Sequence, residues 1–241
     1  MLGDVKLPSP GVLGKMSFAR GMRVSSWTAI ALAAIFFALD SIVTRLPRIG
    51  VFATLHWNWQ GQILRSVLAL GCLVLLMRSS RGDDLRLRVE WPALGDALVA
   101  GAVVGIVSLI AVGLGNTLPS DRETIAYELT LPGIAEELAF RGVVQSLLNR
   151  GLGRPWRWAN ATFGPGAILT ALLFLALHVV RVSPTFHVSV SRSVASWIGV
   201  GITGLLLGYV RERTESLWPG ILIHNLANGV ILLGTSWLIT S

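Results

Sequence analysis

The sequence predicts an all-α, polytopic transmembrane helix bundle of about seven spans, with room for an eighth. Three observations lead there. Hydrophobic residues make up 53% of the 241 positions and charged residues only 14%, against roughly 25% charged in soluble domains. Mean hydropathy is +0.66. The apolar residues also fall into stretches near the roughly 20 residues a bilayer requires, separated by short charged segments. No internal repeat and no separate soluble domain interrupts that alternation.

Taken in order, residues 1–24 form a polar, basic leader carrying Lys6, Lys15, Arg20 and Arg23, and 25–241 form one helical domain. The first span is 26–46, with Asp40 in its outer half; its length and the lack of a small-x-small cleavage site favour an anchor over a secretory signal. The second, 57–77, starts at an interfacial Trp57/Trp59 pair and carries Arg65. A charged loop, 78–90, leads to a Gly- and Ala-rich third span, 91–115. After a polar loop, 116–123, the fourth span is 124–148. A basic, Trp-containing loop, 149–160, precedes the fifth, 164–180. Residues 181–192 are polar and hold His187; an eighth, short or re-entrant helix fits there or near the N-terminus. The sixth span, 193–210, a tight charged turn, 211–216, and the seventh span, 217–239, complete the chain.

The positive charges orient this layout. Placing the N-terminus inside puts thirteen Lys and Arg residues in inner loops and five in outer ones, with Arg65 and Arg141 inside spans. The net charge of +7 is therefore loop arginine that sets orientation, and nucleic acid is not an expected partner. The single cysteine, Cys72, lies in an apolar run and makes neither an internal disulfide nor an activated nucleophile.

The fourth span holds Leu131–Gln145, which sets Glu136, Glu137 and Arg141 in apolar surroundings. Each charge near a bilayer centre costs roughly 2.5–3.5 kcal/mol on insertion scales, so these groups require partners or a solvated cavity. Glu137 and Arg141 are four apart, share a helix face and neutralise each other. Glu136 is turned about 100° away and lacks that partner. Two other spans carry polar groups at the same spacing: Phe174 with His178, and His224 with Asn228. Taken alone, a membrane histidine is more often a packing residue, and an Asn helix glue. Jointly, a free Glu, two His and an Asn on three spans converge only inside the bundle. That is an inventory for hydrolysis: a base, its partner and oxyanion donors.

These three motifs, Glu136-Glu137-x-x-x-Arg141, Phe174-x-x-x-His178 and His224-x-x-x-Asn228, resemble the CAAX-protease and bacteriocin-processing intramembrane proteases, also called the ABI or type II CAAX prenyl endopeptidase family. The resemblance runs over about 131–229, within a protease core at about 121–239, and leaves 1–120 without motifs. It implies that Glu136 with His178 activates a water, that Glu137 and Arg141 hold the helix and orient Glu136, and that His224 and Asn228 stabilise the oxyanion. Phe174 lines the pocket. The family carries a metalloprotease label, and Glu136, His178 and His224 are one zinc set. The metal-free glutamate mechanism requires no cofactor and is favoured, because the chain lacks His-Glu-x-x-His.

The expected function is thus an intramembrane endopeptidase acting on a membrane-associated peptide or protein, of prenylated CAAX type or a bacteriocin-type peptide. The rival is a non-catalytic membrane protein, for bacteriocin self-immunity or partner binding, that uses the same cavity. A proton-relaying transporter is disfavoured by the absence of an inverted repeat. The expected location is a prokaryotic plasma membrane, with the N-terminus cytoplasmic. One tension remains in this layout: His178 sits near the outer end of its span and His224 about 10 Å from the inner end of its own.

Overall fold

The computed structural model describes residues 25–79, 89–115, 117–119, 121–182, 188–190 and 193–240. The leader at 1–24, most of the charged loop at 80–88, and His187 lie outside the described residues. The chain is mostly helical, and four helices are long and apolar enough to cross a membrane: α1 (Ser26–Val43), α2 (Trp59–Ser79), α3 (Trp91–Gly113) and α8 (Val194–Thr214). Leu, Ile and Val side chains stand exposed along their outer faces, as lipid-facing helices require.

Local chemistry sets the ends of these helices. Ser25 caps α1 by accepting from the Thr28 amide at 3.1 Å. Proline opens four helices, at Pro92 of α3, Pro132 of α5 (Leu131–Glu137), Pro165 of α7 (Pro165–Val179) and Pro219 of α9 (Trp218–Thr240), where its missing N–H costs nothing. In α3, Ala93, Ala97, Ala100, Val104 and Ser108 are buried at three- to four-residue spacing. This small-residue stripe packs against α8 and α9.

The expected fourth span, 124–148, is not one α-helix. A short α4 (Arg122–Glu128) ends at a turn, α5 restarts at Leu131, a π-helix covers Leu138–Val144, and α6 (Gln145–Leu152) follows. Pro132 is the cause of the break, because it has no N–H to give the Glu128 carbonyl four residues back and its ring crowds that carbonyl. The π-helix is buried at all seven positions and forms the hub against which α1, α2, α7 and α8 pack. Around it lies the main apolar core, with Phe36, Leu73, Leu138, Phe140, Leu147 and Phe174.

Other boundaries also differ from the reading of the sequence. The expected charged turn at 211–216 is largely the last turn of α8, with Arg211, Glu212, Thr214 and Ser216 buried. The expected loop at 149–160 is half helix and half hairpin: β1 (Trp156–Trp158) pairs antiparallel with β2 (Ala161–Phe163). Both turn residues between them, Ala159 and Asn160, have positive φ, which matches the right-handed strand twist. Where a re-entrant helix was expected, the described residues instead form β3 (Val180–Val182) and β4 (Val188–Val190), an antiparallel pair. The Gly204-x-x-x-Gly208 motif packs α8 closely on α7, at Ala171, Phe174 and Ala167.

The buried α8–α9 turn removes the depth mismatch. Leu217 lies against Gly142, and Gly220 lies against Glu137. Helix α9 therefore begins inside the bundle rather than at its end. From there it runs antiparallel to α5 and α4, with Asn225 beside Gly133 and Asn228 beside Glu128.

Candidate active site

Glu136 and Glu137 end α5, immediately before the π-helix. Extra residues per turn of this kind recur at functional sites because they re-aim neighbouring side chains. Here adjacent carboxylates take opposite surroundings. Glu137 is saturated on one oxygen: Oε1 accepts from Arg141 Nη1 at 3.0 Å and from His224 Nδ1 at 2.9 Å. Both Glu137 and Arg141 side chains are 1% exposed. The guanidinium also donates to the Gly204 carbonyl at 3.1 Å and lies over the Phe174 ring, 4.4 Å from its centroid. The glycine keeps that carbonyl open to approach from the side.

Glu136 is held loosely by comparison. Its Oε2 lies 3.6 Å from His178 Nε2 and 4.0 Å from His224 Nε2, and its Oε1 lies 3.6 Å from Arg65 Nη1. All three exceed good hydrogen-bond distance, and Oε2 is buried without a hydrogen-bond partner. Glu136, His178 and Arg65 line a cavity of about 220 Å³ whose rim includes Ser41, Thr44 and Arg45.

Both imidazoles are oriented from behind. His178 Nδ1 donates to the Phe174 carbonyl at 2.8 Å, so in the neutral ring Nε2 is the acceptor and faces Glu136. His224 gives its Nδ1 proton to Glu137, so its Nε2 donates only when the ring is protonated. Phe174 touches each ring, 4.3 Å from that of His178 and 5.9 Å from that of His224. The structure thus brings Glu136, Glu137, Arg141, His178, His224 and Phe174 into one cluster. It places Asn228 next to Glu128, where Nδ2 donates to Oε2 at 2.8 Å and to the carbonyl at 3.4 Å.

Four residues around this cluster were given no part by the motifs. Asp40 and Arg65, from α1 and α2, form a buried two-point ion pair at 2.8 and 2.9 Å. Opposite charges inside two spans are the signal that could have joined them. Glu128 engages Asn228. Asn225 accepts from the Gly133 amide at 2.9 Å and donates to the Thr130 carbonyl at 3.1 Å, fastening α9 across the α4–α5 break. A Cβ on Gly133 would come 2.2 Å from Asn225 Oδ1, so glycine is required there.

The donor types at Glu136, His178 and His224 suit zinc, and both histidines have the Nδ1 acceptors that commonly orient ligating imidazoles. As placed, however, no three His, Cys, Asp or Glu groups among the described residues stand close enough to hold a metal ion. The residues as arranged do not form a metal site, and no step is derived through one.

No curated protein and no solved structure matches the chain. Residues 124–230 match the family model described as Type II CAAX prenyl endopeptidase Rce1-like. That stretch contains all three motifs, and over it the chain is similar to the Rce1-like type II CAAX prenyl endopeptidases.

Proposed function

We propose that this chain is an intramembrane endopeptidase that cleaves a membrane-associated, CAAX-type peptide with a water activated by Glu136 and His178. The observation that carries the reading is Glu136 Oε2, buried without a hydrogen-bond partner and facing imidazoles from two other helices. Glu136 Oε2 and His178 Nε2 are both acceptors, 3.6 Å apart. A water donating one proton to each presents its lone pairs to the cavity. On attack, the water oxygen bonds to the scissile carbonyl carbon and Glu136 takes the proton. The carbonyl electrons move to oxygen. As the C–N bond breaks, that proton passes to the leaving nitrogen, giving a carboxylate and an amine.

His224 Nε2, as imidazolium, is the nearer oxyanion donor, with Glu137 behind it as counter-ion. Asn228 supplies a second by exchanging its longer, 3.4 Å contact with the Glu128 carbonyl. Losing one such donor costs about 10²–10³ in rate. Glu137 and Arg141 fix His224 and the π-helix, and Phe174 forms the wall. We read 121–239 as the protease core and place the N-terminus in the cytoplasm of a prokaryotic cell.

The test is cleavage of a quenched fluorogenic peptide, with a farnesylated cysteine four residues from its C-terminus, by the purified chain in lipid. Glu136→Ala and His178→Ala are each expected to lose nearly all activity; full activity in both would sink the mechanism. Exhaustive chelation is expected to leave the rate within about two-fold. A loss restored by zinc would instead assign Glu136, His178 and His224 to a metal.

A further inference from the structure

Buried charges that the mechanism leaves unused lie on α1 and α2, outside the family-matched 124–230. Asp40 and Arg65 are 2% and 8% exposed. Well-packed apolar residues would be as stable as a buried pair of this kind or more so, which leaves room for a purpose beyond stability. Its geometry shows one. Asp40 takes Arg65 Nε and Nη2 in a two-point contact, which fixes the plane of the guanidinium. Gln62 Oε1 accepts from the remaining nitrogen, Nη1, at 3.2 Å. That same Nη1 faces Glu136 Oε1 at 3.6 Å. Arg141, the cation within the motif, is already committed to Glu137 and the Gly204 carbonyl.

We infer that Arg65, clamped by Asp40 and Gln62, is the positioning residue for Glu136. It holds Oε1 and thereby turns Oε2 toward His178 and the cavity. The two oxygens of the base are divided between a fixed cation on one side and the imidazoles on the other. The site is incomplete without α1 and α2, although no motif lies there. This rests on the reading of Glu136 as the base.

The experiment uses the full chain in lipid and the farnesylated peptide, measuring kcat, KM and the unfolding midpoint together. Asp40→Asn combined with Arg65→Gln keeps a hydrogen-bonded pair of similar shape but no cation. It is expected to lower kcat 10- to 100-fold, with KM within about two-fold and the unfolding midpoint near the parent's. Arg65→Lys can reach Asp40 but cannot fork to it while facing Glu136, and is expected to lower kcat about five- to ten-fold. Parental kcat in either variant overturns the inference. So does a loss that tracks only the folded fraction, since the pair would then be purely structural. Should the neutral pair not fold, the lysine variant decides alone. Glu136→Ala run beside them separates the two readings. If it cleaves normally, the base is misassigned. If it is dead while Arg65 variants are unaffected, only the positioning role fails.

Discussion

Glu136 and Glu212 are both carboxylates on helices of this bundle, Glu212 buried and Glu136 12% exposed with only its Oε2 buried, and their surroundings are opposite. Glu212 accepts from Gln145 and Asn149 on one oxygen and from Arg154 at 3.1 Å on the other. Glu136 faces one guanidinium and two imidazoles, none nearer than 3.6 Å. Glu212 ties α6 and the segment leading into the β1–β2 hairpin to the end of α8, with a donor on each oxygen. Glu136 keeps an unengaged oxygen beside a cavity. Burial alone therefore does not separate these carboxylates; on the proposed reading, what sets Glu136 apart is a buried oxygen without a donor that also faces two imidazoles beside a cavity.

The sharpest way to break this comparison is to neutralise each in turn. Glu136→Gln is expected to reduce cleavage about 10³-fold or more, within the range for a positioned base, and to leave the unfolding midpoint unchanged or higher. Glu212→Ala is expected to do the reverse. It strands the Gln145 and Asn149 donors at about 1–3 kcal/mol each, lowering the midpoint while activity per folded molecule stays at the parent level. Rate assays paired with thermal unfolding check both. A rate loss in Glu212→Ala at full folding would erase the distinction.

Glu137 stands between these extremes: Oε1 takes Arg141 and His224, Oε2 is buried without a hydrogen-bond partner, and the group lies beside the site. Glu137→Ala leaves Arg141, 1% exposed, without its partner, a loss of about 3–5 kcal/mol. It also frees His224 Nδ1. Stability and rate should fall together, as measured by chemical unfolding and kcat on the same preparation. A rate loss without destabilisation would move Glu137 from support to chemistry.

How much of this contrast the sequence carried depends on spacing. Glu136, His178 and His224 were legible because charge in an apolar run is costly and their four-residue spacings repeat on three spans. Glu137 with Arg141 was legible for the same reason. Asp40 and Arg65 were each visible as out-of-place charges, yet 25 residues and a loop separate them, and no local rule pairs side chains at that range. The π-helix was hidden because it preserves the apolar pattern of an α-helix. The α4–α5 break had a signal in Leu131-Pro132 that the continuous hydropathy masked. Glu212 was lost because charge density at 211–216 reads as a solvated turn, when the turn is folded into the bundle beneath the hairpin.

A smaller effect tests whether the α4–α5 break delivers Glu136 to its place. Gly133→Ala would press a methyl group into Asn225 Oδ1, 2.2 Å from where its Cβ would stand. The clash should cost about 1–3 kcal/mol. It should also shift α5 against α9, lowering kcat more than it raises KM. Asn225→Ala in the same background makes room and should recover part of the midpoint. An unaltered kcat in Gly133→Ala would mean that α5 is positioned by the π-helix alone.

The smallest effect concerns a third kind of carboxylate, saturated but at the edge of the bundle. Asp121 caps α4, accepting from the Glu123 and Thr124 amides at 3.0 Å and from the Thr124 hydroxyl at 2.6 Å. Glu123 accepts from the Trp57 and His56 amides and the Trp59 indole, tying α4 to the start of α2. The Thr124 side chain first, then its amide, holds the Asp121 carboxyl below its ordinary range. The Trp57 amide foremost does the same for Glu123. A carboxyl whose folded value is depressed contributes stability that is fully present above its unfolded value, about 3.9 for Asp and 4.3 for Glu. That stability is lost as pH falls through the folded value. The unfolding midpoint of the parent should therefore exceed that of Asp121→Asn with Glu123→Gln at neutral pH, and the gap should close below about pH 4. The asparagine still caps α4, so the gap reports charge rather than loss of the cap. A gap that persists unchanged to low pH would show that these donors serve the amide as well as the carboxylate. Saturation would then be a matter of geometry and not of ionisation.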